Sequence, residues 1–251
     1  MAASDRGTRL NLPICLLLIL ATALLPVPAM AQSLADFRLD PEMLSARAVQ
    51  LFVLVTVLSL APALAIMVTC FPFIVTVLAI LRQAIGLQQS PPNMLIVSLA
   101  LFLTYFVMDP VFTAAWNDGI GPVVNGQVAI EPGLAAAIRP FHGFMLNRVN
   151  PETYASLAEL RTGLVTAPDA ASPLSLLVPS FLLSEIARAF EIGFMIFLPF
   201  LIIDLVVAAI LMSMGMMMVP PAIVSLPFKL AFFVVADGWT LVSSALVRSY
   251  F

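Results

Sequence analysis

Charge is scarce in this sequence. Asp, Glu, Lys and Arg together make up only 10% of its 251 residues, against roughly a quarter in soluble domains. Hydrophobic residues reach 62% and the mean hydropathy is +1.09. Such a chain cannot present the polar surface of a soluble domain, and it reads as an integral membrane protein. No basic run is present, which leaves out nucleic acid and an anionic-lipid patch as partners. The single histidine, His142, lies in a polar stretch. Without an HExxH motif a zinc protease is excluded, and no G-x-S-x-G, Walker A or G-x-G-x-x-G is found. Neither an enzyme, a cofactor nor a metal site is therefore expected. Cysteine is limited to Cys15 and Cys70.

The first residues have the form of a secretory signal. Arg6 and Arg9 precede an apolar run from Leu10 to Leu25, and Ala29-Met30-Ala31 is a small-x-small cleavage site. Cleavage after Ala31 makes Gln32 the first mature residue. It also removes Cys15, which leaves Cys70 no partner for an intramolecular disulfide.

The expected fold is an all-α integral membrane protein with about four membrane-type helices in two helical hairpins. The boundaries are a signal peptide over 1–31, a first hairpin over 32–110, an extracytoplasmic region over 111–179 and a second hairpin over 180–251. Ala48 to Leu81 is 34 residues without a charge, where a span needs about 20. Pro62 and Pro72 inside it predict a broken or strongly tilted helix. Met94 to Met108 is apolar but stops at Asp109-Pro110, short of a full span. In 111–179, Asn150-Pro151-Glu152 predicts a helix start and a helix to about Arg161. A long helix over Ser180 to Ala209 carries Glu185, Arg188 and Glu191, spaced to pair along its surface. A final helix runs from about Ala222 to Arg248. With the mature N-terminus outside, the 82–93 loop and the second hairpin's tip lie inside.

That tip is Ser213-Met214-Gly215-Met216-Met217-Met218-Val219-Pro220-Pro221. Gly215 and the Pro220-Pro221 pair break the helix and make the hairpin turn. Met216, Met217 and Met218 stand where a wetted loop would carry Ser, Asn or Lys. Methionine is unbranched and deformable, so a ring of such tips could close around a changing cargo. The competing reading is a lipid-facing coat.

Asp204, Lys229 and Asp237 are ionisable groups at membrane depth, which flags function. They fit either the proton relay of a small-solute transporter or structural pairs between packed helices. A transporter usually shows internal repeats, and 48–108 does not repeat in 194–248. Asp204 and Lys229 are about equidistant from the tip, so an antiparallel hairpin places them level and predicts that they pair, within one hairpin or, if Pro199 and Pro227 shift the register, across adjacent subunits. Asp237 is eight residues beyond Lys229, about 12 Å along an unbroken helix.

These segments resemble the FliP family, flagellar biosynthetic proteins of the type III export gate with injectisome relatives of the SctR type. The matching residues are Leu81-Arg82-Gln83-Ala84-Ile85-Gly86, Pro91-Pro92-Asn93, Leu101-Phe102-Leu103-Thr104, Met108-Asp109-Pro110, Ser184-Glu185, Phe190 to Phe194 and Pro199 to Val206. The longest block runs from Leu211 through the methionine tip to Ser225-Leu226-Pro227-Phe228-Lys229 and Asp237-Gly238-Trp239. The likeness is weak over 111–178 and departs at Ile186-Ala187-Arg188 and Glu191, where the family pattern has Leu-Lys and Gln. The resemblance implies an all-helical homo-oligomer, a pentamer that joins FliQ and FliR in a cone-like channel entry. It implies work with FlhA and FlhB in the bacterial inner membrane at the flagellar basal body. Unfolded flagellar proteins would be the cargo, driven by the proton-motive force. It makes the methionine tip a gasket on the closed pore.

Overall fold

The computed structural model describes residues 41–87, 91–162, 167–216 and 218–251. The signal reading, with Ala31 and Gln32, lies outside these residues, and so does Met217. Every described element is helical, as the composition predicts. The chain divides into two compact units, Met1–Ser59 and Leu60–Phe251. In the first, the described residues are the leading turns of α1 (Pro41–Met67). Its side chains from Leu51 to Val55 are exposed. Thr56 and Ser59 turn their hydroxyls back to the Phe52 and Val55 carbonyls, each at 2.7 Å, so that helix exposes little polarity.

The second unit is organised around α2 (Phe71–Ile85). The predicted break in the long uncharged run falls between α1 and α2, at Val68-Thr69-Cys70. Thr69 stitches it: its hydroxyl donates to the Ile66 carbonyl at 2.8 Å and accepts from the Phe71 N–H at 3.3 Å. Pro72 sits in the first turn of α2, where a missing N–H costs nothing. Phe73, Ile74, Val77, Leu78, Leu81, Ala84 and Ile85 are all buried. With 15 residues α2 is about 22 Å long, too short to cross about 30 Å of hydrocarbon alone. It is a central post instead, packed chiefly on α7 (Leu174–Ser213) and also on α3 (Asn93–Ala115).

Between α3 and α7 lie a π turn (Trp116–Ile120), α4 (Gly121–Val124), α5 (Ile130–Arg148) and α6 (Pro151–Thr162). A second apolar core forms where α5 and α6 meet α7, around Met145, Tyr154, Leu177 and Phe181. Asn150 starts α6 as expected, its side-chain oxygen accepting from Glu152 N–H at 2.8 Å and Thr153 N–H at 3.3 Å. The chain closes with α8 (Pro221–Val235) and α9 (Gly238–Arg248).

Three boundaries differ from the sequence reading. Helix does not stop at Asp109-Pro110. It continues through Pro110 and the π turn to Val124, a run of 32 residues. Proline removes one backbone bond, and the apolar residues that follow pack on α5 and hold the helix together. The edges at 110/111 and 179/180 both fall inside helices, since α7 already begins at Leu174 and takes Pro179 within it. The final helix is not continuous: it bends by 61° between α8 and α9, at Asp237 in the left-handed conformation with φ 46°. Among the described residues, Asn93–Val124 and Leu174–Ser213 are long and apolar enough to cross a membrane, and the bent α8–α9 pair is a third if counted as one span.

The π turn approaches α5 closely. A Cβ on Gly119 would lie 2.4 Å from the Ala137 backbone nitrogen, and backbone cannot swing aside. We expect Gly119→Ala to destabilise the detergent-extracted chain by about 1–3 kcal/mol. Gly143→Ala, with nothing near its Cβ, should be neutral or slightly stabilising. Thermal unfolding of the two variants side by side checks this.

Candidate functional site

The hairpin of α7 and α8 is built to hold its tip. Gly215, at φ 77°, ends α7 as only glycine does readily. Its N–H donates to Met212 O at 3.1 Å, and the Met216 N–H donates to Leu211 O at 3.0 Å. These two bonds make a Schellman cap. Pro220 then caps α8 and Pro221 opens it. Gly215, Pro220 and Pro221 thus frame the turn. Within the frame Met214, Met216 and Met218 are exposed, Met218 at 97%. No charged residue lies between Asp204 and Lys229.

Below the tip sits the expected ion pair. Lys229 Nζ reaches Asp204 Oδ2 at 2.6 Å across the hairpin of a single chain. The Lys229 side chain is only 7% exposed and that of Asp204 34%. Lys229 also donates to the Ala84 carbonyl at 3.1 Å, in the last turn of α2. Ser225 donates to the other carboxylate oxygen, Asp204 Oδ1, at 2.6 Å. One lysine therefore ties α8 to α7 and caps α2. Asp237 is not part of this group: it is exposed at the α8–α9 bend, where Thr240 Oγ1 donates to its Oδ1 at 3.2 Å. Asp204 and Lys229 being committed to each other, with Asp237 apart, the three do not form the relay that a transporter would need.

A second buried charge group lies farther up α7. Glu185 is fully buried. Arg148 Nε approaches its Oε1 at 3.2 Å and Arg188 Nη1 at 3.3 Å. The Tyr250 hydroxyl donates to Oε2. Burial first, then the Glu185 charge, pushes the Tyr250 phenol above its ordinary range, so the phenol stays protonated and donates. Arg148 lies 4.0 Å over the Tyr250 ring and donates to Ser249 O at 2.8 Å. The sequence reading put Glu185, Arg188 and Glu191 on one paired surface. Only Glu185–Arg188 pairs, and Glu185 faces inward because Arg148 and Tyr250 meet it there. Glu191 is exposed.

Sequence reasoning passed over Ser225, the Ala84 carbonyl, Arg148 and Tyr250. Ser225 was accessible to it, since it lies four residues before Lys229 and so on the same helix face. Arg148 and Tyr250 carried no local signal, being 37 and 65 residues from Glu185.

The ion pair has a test. Asp204→Lys and Lys229→Asp each leave like charges facing, and each should lower stability in thermal unfolding by less than the about 3–5 kcal/mol of a fully buried pair, because Asp204 is 34% exposed. The double exchange should recover part of that loss. Full recovery is not expected, because it sets a carboxylate against the Ala84 carbonyl. No recovery at all would mean that the two charges act independently.

Comparison with known proteins agrees with the architecture. The model of the FliP family matches residues 54–246. The chain is 50% identical over 238 residues to "Flagellar biosynthetic protein FliP" of Caulobacter vibrioides, covering 94% of this chain and 90% of that protein. It is 47% identical to the protein of the same name from Rhizobium meliloti, covering 80% of this chain and 83% of that one. With the Bacillus subtilis protein the identity is 42%, over 84% of this chain and 95% of its relative. A family match over residues 54–246, which takes in the α7–α8 hairpin with its tip and the Asp204–Lys229 pair, and relatives 42–50% identical over most of the chain place it in the FliP family of flagellar biosynthetic proteins.

Proposed function

We propose that the chain is a subunit of the flagellar type III protein export gate, forming the channel entry through which unfolded flagellar proteins cross the inner membrane. The observation that carries this reading is the tip. Exposed methionines stand on a hairpin whose two ends are capped and whose legs are joined by a largely buried ion pair. A soft surface on a stiff mount suits a gasket, because thioether side chains adapt to irregular shapes. Broad exposed apolar faces also call for covering. Phe190, Phe194, Met195, Ile202 and Leu205 of α7 all stand clear of their own chain. Neighbouring copies in a pentamer, with FliQ and FliR, would cover them, and FlhA and FlhB would deliver the cargo.

The gasket is tested by replacing Met216, Met217 and Met218 together with Ala. Ion or small-solute leakage through cells making the variant should rise several-fold, with the subunit still assembled into its complex. A variant as tight as wild type would leave the tip as a lipid-facing coat.

The signal peptide is part of the same reading, and rests on Arg6, Arg9 and the Ala29-Met30-Ala31 site. N-terminal sequencing of the membrane-extracted protein should begin at Gln32. A retained Met1 would refute cleavage.

A further inference from the structure

One exposed face of α3 carries a charge that nothing among the described residues meets. Phe102, Tyr105, Phe106, Asp109 and Trp116 are all exposed. Phe102 and Phe106, Tyr105 and Asp109, and Phe106 and Asp109 are each three or four residues apart, so these four share one side of α3, and Trp116 opens the π turn seven residues beyond Asp109. Of these rings Tyr105 is held by its neighbours. Tyr105 stacks on Phe112 at 6.4 Å, and Phe112 meets Phe141 of α5 at 5.8 Å. Asp109 lies one turn from both Tyr105 and Phe112, close to the middle of the 32-residue run Asn93–Val124. Among the described residues its carboxylate has no hydrogen bond and no ion pair. The contrast with Asp204 and Glu185, each met by cations and hydroxyls, is sharp. Tyr105 and Phe112 also wall an almost wholly apolar cavity of about 630 Å³, shared with Phe141, Met145 and Leu174. That is within the usual range of binding pockets, about 300–1,000 Å³.

We propose that this face of α3 docks a helix of a neighbouring protein in the same membrane. The partner helix presents a Lys or Arg to Asp109 and a bulky apolar side chain to the cavity. This rests on the reading of the chain as a membrane-embedded gate subunit. Lipid tails would cover the aromatic side chains, but they offer hydrocarbon to a carboxylate at mid-helix, where an unpaired charge is costly. Aromatic residues are the types that anchor protein interfaces, with charged groups few at their centre. The lone acid fixes the partner's chemistry by complementarity.

The test uses the full chain, made at its normal level in flagellated cells. The readouts are its amount in the membrane fraction and its share in a large complex on native gels. Asp109→Leu should lower that share by at least about tenfold, because it strands a partner's buried cation. The membrane amount should not change. Tyr105→Arg gives Asp109 a cation one turn away on its own helix. At a docking face this arginine displaces the partner's cation, and the share should fall comparably. On a lipid-facing helix it would relieve the lone charge and leave assembly intact. Wild-type assembly of the Leu variant overturns the proposal. So does a defective Leu variant beside a fully assembled Arg variant, since Asp109 would then need only some cation and not a partner's. A wild-type chain found in no large complex would instead sink the gate-subunit reading itself.

Discussion

A carboxylate inside an apolar bundle is costly unless cations and donors are carried to it, and this fold is tied together by two that are so met. Asp204 draws Lys229 across the hairpin and, through that lysine, the last turn of α2. Glu185 draws Arg148 from the end of α5, Arg188 from its own helix and Tyr250 from beyond α9. Both acids belong to α7, which therefore acts as the strut to which the other helices are fastened. Apolar contact alone is not directional, and a bundle of leucine, phenylalanine and valine could slide in register. The charges forbid sliding, because breaking such a pair costs about 3–5 kcal/mol where burial is deep. That is a large part of the marginal stability typical of a folded domain, about 5–15 kcal/mol.

Stiffness and softness are kept apart along the same hairpin. The ion pair, Ser225 and the Schellman cap fix where α7 and α8 begin and end. The described tip residues Met214, Met216 and Met218 are exposed, and Met214 and Met216 bond through their backbone. Since Lys229 also holds the Ala84 carbonyl, the post α2 and the hairpin cannot part without uncovering a carbonyl and a charge. The placement of the tip is thus inherited from α2, whose seven buried residues include Phe73, Leu78 and Leu81.

Much of this was legible in the sequence, and the reasons differ by element. The helical class follows from hydropathy, which is a sum over many residues and tolerates local error, whereas the described residues give two apolar spans, or three with the bent α8–α9 pair, against the about four expected. The break near Pro72, the start of α6 at Asn150 and the turn at Gly215 follow from residues whose backbone preference is strong. The Asp204–Lys229 pair was legible because a hairpin converts sequence symmetry about its tip into equal depth. Helix ends were less legible where proline was the signal. Pro110, Pro179 and Pro199 all lie within helices, because packing on neighbours outweighs one lost backbone bond. The bend at Asp237 runs the other way: nothing but a single left-handed residue marks it. The Glu185 group was illegible for a different reason, since its members meet only after α5, α7 and the segment beyond α9 are in place.

Tyr250 gives that last point a meaning in time. Its ring meets Phe73 of α2 edge-on at 5.6 Å and stacks on Phe144 of α5 at 6.0 Å. The neighbouring Ser249 carbonyl receives Arg148 from 101 residues earlier. Residues 249 and 250 follow every described helix in the chain, so this socket is filled from the last part of the sequence to be made. Until then Glu185 lacks its phenol and Arg148 one of its acceptors. Only when residues 249 and 250 emerge does the interior close. A chain that stops short of residue 249 keeps an open socket beside its central post, with Glu185 and Arg148 facing it.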